Sequence, residues 1–162
     1  NNLDNGVINL SNAEEISEIS YQKNKIDLSE KTLFLSINGT IGNVAFYNGE
    51  QILLGKSAAY INTRDINKYF LMYYIQTDYF SRYINKVLTG STIQNLSLDS
   101  IRKMPVIDCE EQIEIAKRLS SIDSTIQKEE TILAKYKKIK NGLIPRLLTH
   151  LEDAEIKDET GK

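Results

Sequence analysis

Covalent chemistry at neutral pH draws on few side-chain types, and this chain is poor in them. Its 162 residues include one histidine, His150, and one cysteine, Cys109. A Ser-His-Asp or Cys-His arrangement would have to use His150, which stands between Thr149 and Leu151 in a polar tail. One histidine and one cysteine cannot build a structural zinc site. No Gly-x-Gly-x-x-Gly and no phosphate-loop lysine motif occurs. The only prolines, Pro105 and Pro145, do not form the paired-proline loop of amino-methyltransferases. The sequence therefore offers no catalytic residue, metal or cofactor to assign, and predicts a chain that is not an enzyme by itself.

Charge is the next source of chemistry. The net value of -2 argues against nucleic acid, but the distribution matters more than the sum. Residues 1–50 carry Lys23, Lys25 and Lys31 against seven acids. Residues 51–107 reverse this, with Lys56, Arg64, Lys68, Arg82, Lys86, Arg102 and Lys103 against Asp65, Asp78 and Asp99. From Thr149 onward two lysines face five acids. A basic middle between acidic ends leaves room for a local positive face.

Composition limits the setting of that chemistry. With 41% hydrophobic and 26% charged residues the chain is ordinarily globular, which excludes wholesale disorder. Its length suits one domain, or a smaller domain with a long appendage. No apolar run nears the ~18–20 residues that cross a bilayer, and Asn1 to Gly6 has no signal-peptide character. A lone cysteine closes no internal disulfide, which fits a reducing, cytoplasmic compartment. The absence of an initiating Met suggests a chain cut from something longer.

The elements that must position these groups follow from periodicity. Leu33, Leu35 and Ile37 alternate along Thr32–Ile37, the period of a strand with one buried face. Asn38-Gly39 and Asn48-Gly49 are tight-turn signals, separating further strand candidates at Asn43–Tyr47 and Gln51–Leu54. A fourth runs from Ser57 to Thr63, so this part predicts a meander. Helices follow Arg64: Asp65 can cap one holding Ile66, Phe70, Tyr73 and Tyr74, and Asp78 a second that Gly90 stops. After a loop at 91–95 come a helical turn near Leu98–Lys103 and an extended Met104–Ile107, where Pro105 favours a sheet edge.

From Asp108 the pattern changes. Asp108 and Glu111 form a capping-box signature, and no Gly or Pro interrupts the chain until Asn141-Gly142 and Pro145, which are expected to end the helix. Heptad-spaced positions from Gln112 to Leu143 include Ile115, Leu119, Ile122, Ile126, Leu133, Tyr136 and Leu143, an apolar seam interrupted by Glu129 and Lys140. Thirty-one helical residues reach about 46 Å at 1.5 Å each. That is too long to pack wholly on so small a domain, so the outer part needs a partner helix.

Four segments in order resemble a known family. Ile37-Asn38-Gly39-Thr40-Ile41-Gly42-Asn43 is similar to the glycine-rich strand–turn segment of the specificity subunits of type I restriction–modification enzymes, and Leu54-Gly55-Lys56-Ser57-Ala58-Ala59 to the strand that follows it. Thr89-Gly90-Ser91-Thr92-Ile93-Gln94-Asn95-Leu96-Ser97 resembles the family's Gly-Ser/Thr-x-x-Gln loop. Met104-Pro105-Val106 through Glu111-Gln112-Ile113 resembles its proline, Glu-Gln, long-helix entry. Each motif alone is unspecific; the four in family order cover nearly the whole chain.

The resemblance implies a DNA target-recognition domain followed by a long helix that docks methyltransferase subunits. A complete subunit has two such modules, whereas this chain holds one and begins inside the domain. It thus looks like a half-length, truncated or permuted subunit. The implied partners are double-stranded DNA, methyltransferase subunits and, in the full complex, an endonuclease subunit. The implied role is to direct an S-adenosylmethionine-dependent adenine methyltransferase and the endonuclease to one half of a bipartite site. Two rivals are the recognition end of a fused restriction–methylation enzyme and a protein-binding adaptor or decoy that reads no DNA.

A reader of DNA needs cations for phosphates and hydrogen-bonding side chains for base edges. Lys56, Arg64, Arg82, Lys86, Arg102 and Lys103 can supply the first. Asn38, Thr40, Asn43, Ser57, Asn62, Ser91, Thr92, Gln94 and Asn95 can supply the second. Each has a plain structural alternative: turn formation for the glycines and loop satisfaction for Gln94 and Asn95. The tyrosines at 69, 73, 74, 79 and 83 are expected mostly to pack on helix faces, with base stacking the lesser alternative. The expected fold is α+β, with a recognition domain at 1–107 and a dimerising and docking helix at 108–148. A polar acidic tail or linker is expected at 149–162. The expected assembly is a homodimer through the long helix, with no membrane partner.

Overall fold

The computed structural model describes residues 2–89 and 95–159, with side chains described to 148. It forms two compact units, Asn1–Lys117 and Arg118–Lys162. The architecture is α+β, as the sequence predicts. The first unit is built on a three-stranded antiparallel sheet in the order β4-β3-β5, where β3 is Thr32–Ser36, β4 Val44–Phe46 and β5 Ala58–Asn62. Leu33 pairs with Phe46 on one side and Ile61 on the other, so β3 is the central strand.

The alternation in β3 predicts one buried face, but every residue of the strand is buried. Leu33 and Leu35 lie in the main core with Leu71, Met72, Tyr74, Ile75, Phe80 and Ile84. These come from two helices, α2 (Lys68–Ile75) and α3 (Asp78–Leu88). On the opposite face Phe34 packs with Leu3 and Ala45, and Ile8, Leu28, Ile52 and Leu54 close over them. A strand covered on both faces carries apolar residues at odd and even positions alike, which is why Phe34 breaks the strict period.

The second cover begins with a hairpin of β1 (Leu3–Asp4) and β2 (Val7–Ile8). Its turn residues Asn5 and Gly6 both have positive φ, 43° and 84°, the backbone that an Asn-Gly pair accommodates in a two-residue turn. At Asn38-Gly39 and Asn48-Gly49 the asparagines lack positive φ, so the expected tight turns do not form there. Residues 37–43 make a longer loop instead, tied by Ser36 Oγ, which donates to Thr40 C=O and accepts from Asn43 N–H. Gly6 also bonds to β4, donating to Val44 C=O and accepting from Phe46 N–H, both at 2.9 Å. A Cβ at Gly6 would come within 3.1 Å of the Phe46 ring and would sit on a backbone of φ 84°, so a side chain there is strained and pushes on that ring.

Several local expectations are corrected. Gln51–Leu54 is not a strand, because Ile52 and Leu54 bury their side chains from an irregular segment. With no strand there, β5 pairs directly with β3. The helix α1 (Glu18–Asn24), capped by Ser17, has no buried residue and gives no strong periodic signal. Asn67, not Asp65, caps α2, its Oδ1 accepting from Tyr69 and Phe70 N–H; Thr77, not Asp78, caps α3. Asp78 instead takes the first turn, where a carboxylate favours the positive end of the helix. Gly90, the expected stop, lies outside the described residues. Met104–Ile107 joins no sheet; Met104 and Val106 pack on the main core as irregular chain. Asp108 accepts a bond from the Gln112 side-chain amide at 3.4 Å, rather than making the expected backbone cap.

A short helix α4 (Leu98–Arg102) precedes the long helix α5 (Gln112–Glu159). Its first turn is fixed to the first unit: Gln112 is buried and its Oε1 accepts from Asn67 N–H at 3.0 Å. The helix does not stop at Asn141-Gly142 or Pro145, as expected, but runs through both. Proline removes one intrahelical donor. Asn141 and Pro145 are both exposed, so water can satisfy the carbonyl that this proline leaves. Residues 149–159, expected as a linker, continue the helical backbone.

Tyr74 links α2 to the chain beyond α4 by donating its phenol to Pro105 C=O. Burial, with a smaller contribution from Tyr79, pushes this phenol above its ordinary value of 10.0. The neutral phenol therefore favours the fold fully below pH 10, and that contribution fades as pH rises through the raised value. Tyr74→Phe should cost ~1 kcal/mol at neutral pH and show a shallower loss of stability above pH 10. Phe34→Ala should cost more, ~3–5 kcal/mol. Urea denaturation of the three proteins across pH checks both.

Candidate nucleic-acid interface

The residues expected to read DNA divide by position along the sheet. At the carboxyl end of β3, Asn38 forms a backbone bridge with Asn95. Ile37 beside it donates to Ser57 C=O at 2.9 Å and accepts from Leu96 N–H at 2.8 Å. Three separate stretches of chain thus converge, bringing exposed Asn38, Thr40, Lys56, Ser57 and Asn95 to one end of the sheet. The convergence has a local cause. Leu96 is 2% exposed, and burying it pulls Asn95 against the end of β3.

Other candidates are elsewhere or already engaged. Asn62 and Arg64 follow β5 to the opposite end, where Asn62 Oδ1 accepts from Thr32 Oγ1 at 2.6 Å. Five strand residues at about 3.4 Å each separate the two ends by about 14 Å. Arg64 is exposed there among Asp65, Asp108 and Glu110, a mixed rather than a positive surface. Asn43 is half-buried, and its Nδ2 donates to Leu3 C=O at 3.1 Å, tying the β3–β4 loop to the hairpin. Lys103 forms an exposed ion pair with Asp99 at 2.7 Å. Arg102 lines a cavity beside Gly55 and Ala58. Ser91, Thr92 and Gln94 lie outside the described residues.

The tyrosines mostly serve packing. The Tyr83 hydroxyl donates to Ser100 C=O at 2.7 Å, and Tyr69 lies against Phe46 with ring centroids 4.7 Å apart. The pairing of Tyr79 with Arg82 and the exposure of Tyr60 were not anticipated from the sequence. Tyr79 is 64% exposed with the Arg82 guanidinium 5.8 Å from its ring centre, and Tyr60 stands half-exposed on the outer strand β5. The i, i+3 spacing of Tyr79 and Arg82 carried a signal for the first. Among the described residues there is no group of three or more metal-ligating side chains, and no helix is long and apolar enough to cross a membrane.

Comparison with known proteins decides what this arrangement belongs to. Residues 1–138 match the family described as type I restriction modification DNA specificity domain. The chain belongs to that family. It is also 31% identical over 156 residues to the "Putative type I restriction enzyme MjaX specificity subunit" of Methanocaldococcus jannaschii, a match covering 88% of this chain and 36% of that protein. The chain thus spans about a third of the length of this specificity-subunit relative. The family description names a recognition component rather than a catalytic one, in agreement with the non-catalytic reading of the sequence.

The geometry separates structural from surface asparagines. Asn43→Ala should lower stability by ~0.5–1.5 kcal/mol through the lost bond to Leu3. Asn38→Ala, whose side chain among the described residues accepts only from the neighbouring Gly39 N–H, should change stability by less than half as much. Paired thermal melts read the difference.

Proposed function

We propose that this chain is a sequence-specific DNA-recognition module of a type I restriction–modification system. In this reading it directs the adenine methyltransferase and endonuclease subunits to one half of a bipartite site. The observation that carries it is the convergence of Asn38, Thr40, Lys56, Ser57 and Asn95 at one end of the sheet in a chain of the DNA specificity family. Exposed amides and hydroxyls can pair with base edges, and Lys56 can meet a phosphate beside them. Gln94, adjacent to Asn95 in sequence, and Ser91 and Thr92 lie outside the described residues and are proposed as base-contacting residues on their side-chain type alone. Arg64, exposed at the opposite end of the sheet, would serve a second contact with the duplex.

The proposed 1–107 recognition domain is joined to a helix that pairs with a second copy and docks the methyltransferase. The seam residues Ile115, Ile122, Ile126, Leu133, Tyr136 and Leu143 are between 37% and 64% exposed in the single chain, and Leu119 is half-buried. Covering a large aliphatic contributes ~1.5–3 kcal/mol, which favours a closed two-fold pair. An antiparallel pair would set two recognition domains at opposite ends, as in a subunit with two modules. Glu129 on the seam would be offset by Lys128, Lys135 or the methyltransferase surface.

Two measurements test this reading. Binding to DNA carrying the system's methylated sequence should weaken as salt rises. Asn95→Ala together with Gln94→Ala should reduce binding to that sequence more than binding to random DNA. Equal loss on both DNAs, or none, would count against the reading surface. Sedimentation should show a dimer at tens of micromolar, and Ile122→Asp with Ile126→Asp should give a folded monomer. A monomer for the unmodified chain would leave the methyltransferase as the seam's partner.

A further inference from the structure

Among the described residues the sheet has one open edge. The outer side of β4 is occupied by Gly6, which exchanges two hydrogen bonds with it, while β5 ends the order on the other side. In an antiparallel pair, alternate residues turn their N–H and C=O toward the partner. Thr63 donates to Lys31 C=O and Ile37 to Ser57 C=O, so Ser57, Ala59, Ile61 and Thr63 face β3. Ala58, Tyr60 and Asn62 consequently face outward. Ala58 N–H is satisfied by Gly55 C=O at 3.2 Å. No described residue hydrogen-bonds the main-chain groups of Tyr60 or Asn62.

Beside this edge lies a cavity of about 570 Å³, lined by Ile26, Leu53, Leu54, Leu98, Ile101 and the β5 residues Ala58, Ala59 and Tyr60. Asn24, Gly55 and Arg102 complete the lining. Arg102 is its one charged residue among those described; no aspartate or glutamate lines it. Arg102 is exposed and makes no ion pair with a described residue, unlike its neighbour Lys103. An open ladder, an apolar recess and an unpaired guanidinium therefore lie side by side.

We propose that β5 receives an extended acidic peptide segment of a partner protein, added as a fourth strand. Its main chain would pair with Tyr60 and Asn62, an aliphatic or aromatic side chain would fill the recess, and a carboxylate would meet Arg102. Main-chain pairing supplies affinity in such strand addition, and alternate side chains supply selectivity. Duplex DNA fits less well, because a recess between a strand edge and a short helix admits a single side chain and not a double helix. A second copy joined edge to edge is disfavoured, since two-fold pairing along β5 would bring two Arg102 side chains to one side of the same short ladder. This assignment takes Arg102 away from phosphate binding and does not depend on the reading surface at Asn38 and Asn95.

The test is selection of random displayed nonapeptides on the full chain, followed by amide hydrogen exchange. Enriched peptides should carry Asp or Glu at even spacing from an aliphatic or aromatic residue. They should slow exchange of the Tyr60 and Asn62 amides at least tenfold and lose at least tenfold in affinity to Arg102→Glu. The same peptides with one N-methylated central amide should bind at least tenfold more weakly, because the side chains remain while the ladder is broken. No enrichment, undiminished binding to Arg102→Glu, or unchanged exchange at Tyr60 and Asn62 would overturn the proposal. Protection of those amides by duplex DNA alone, with no peptide selected, would assign the edge to DNA and overturn it equally. Binding of specific DNA by Asn38→Ala is read separately, so the two proposals can fail independently.

Discussion

The structure depends on the burial of β3 from both sides. Five consecutive residues, Thr32 to Ser36, are 0–1% exposed, so the strand needs a cover on each face and a pairing partner on each edge. The helices α2 and α3 supply one cover. The β1–β2 hairpin and the chain through Leu28, Ile52 and Leu54 supply the other. The polar members of the strand are drawn into the same demand. Thr32 Oγ1 donates to Asn62, and Ser36 Oγ bonds both Thr40 and Asn43. A buried hydroxyl without a partner would cost more than such bonds contribute. The loops that emerge from the two ends of β3 are thus fixed by the strand's own need for satisfaction.

That demand explains where surface chemistry becomes available. Once Ser36 has drawn Thr40 and Asn43 inward, the side chains of Asn38 and Thr40 are left at the loop's outer side. Once Leu96 is buried against Ile37, Asn95 must sit beside Asn38. The polar side chains proposed to meet DNA are those the core did not claim, held in register by neighbours that it did. A loop carried on such a scaffold can vary its exposed residues with little consequence for the sheet.

This division also marks what was legible in the sequence. The strands β3, β4 and β5 and the long helix were visible because their apolar periods are strong. The second cover was not, because Leu3, Ile8, Leu28, Ile52 and Leu54 are scattered singles that gain meaning only when Phe34 is known to face them. The Asn-Gly signal was sound in kind and misplaced in position. The pair that forms the two-residue turn is Asn5-Gly6, where two short strands converge; at Asn38-Gly39 the Ser36 hydroxyl imposes a wider loop. The helix stop signals at Gly142 and Pro145 were overridden because each costs a limited amount in an exposed helix, whereas the turns on both sides continue to propagate. Of the site, Asn38, Lys56, Ser57 and Asn95 could be chosen by type, but their meeting is a tertiary fact carried by Leu96.

The long helix poses the opposite problem from β3. The strand is satisfied within its own unit, whereas the seam from Ile122 to Leu143 leaves large apolar side chains exposed along a single element. Lengthening a helix adds backbone hydrogen bonds one residue at a time, yet it adds no cover for the side chains it brings into line. The first turns of α5 are held by buried Gln112 and Ala116, whereas the seam farther along the helix is the surface proposed above for a second helix. The surfaces proposed for reading and for assembly therefore use separate residues of the sequence, those grouped around Asn38 and those along the seam.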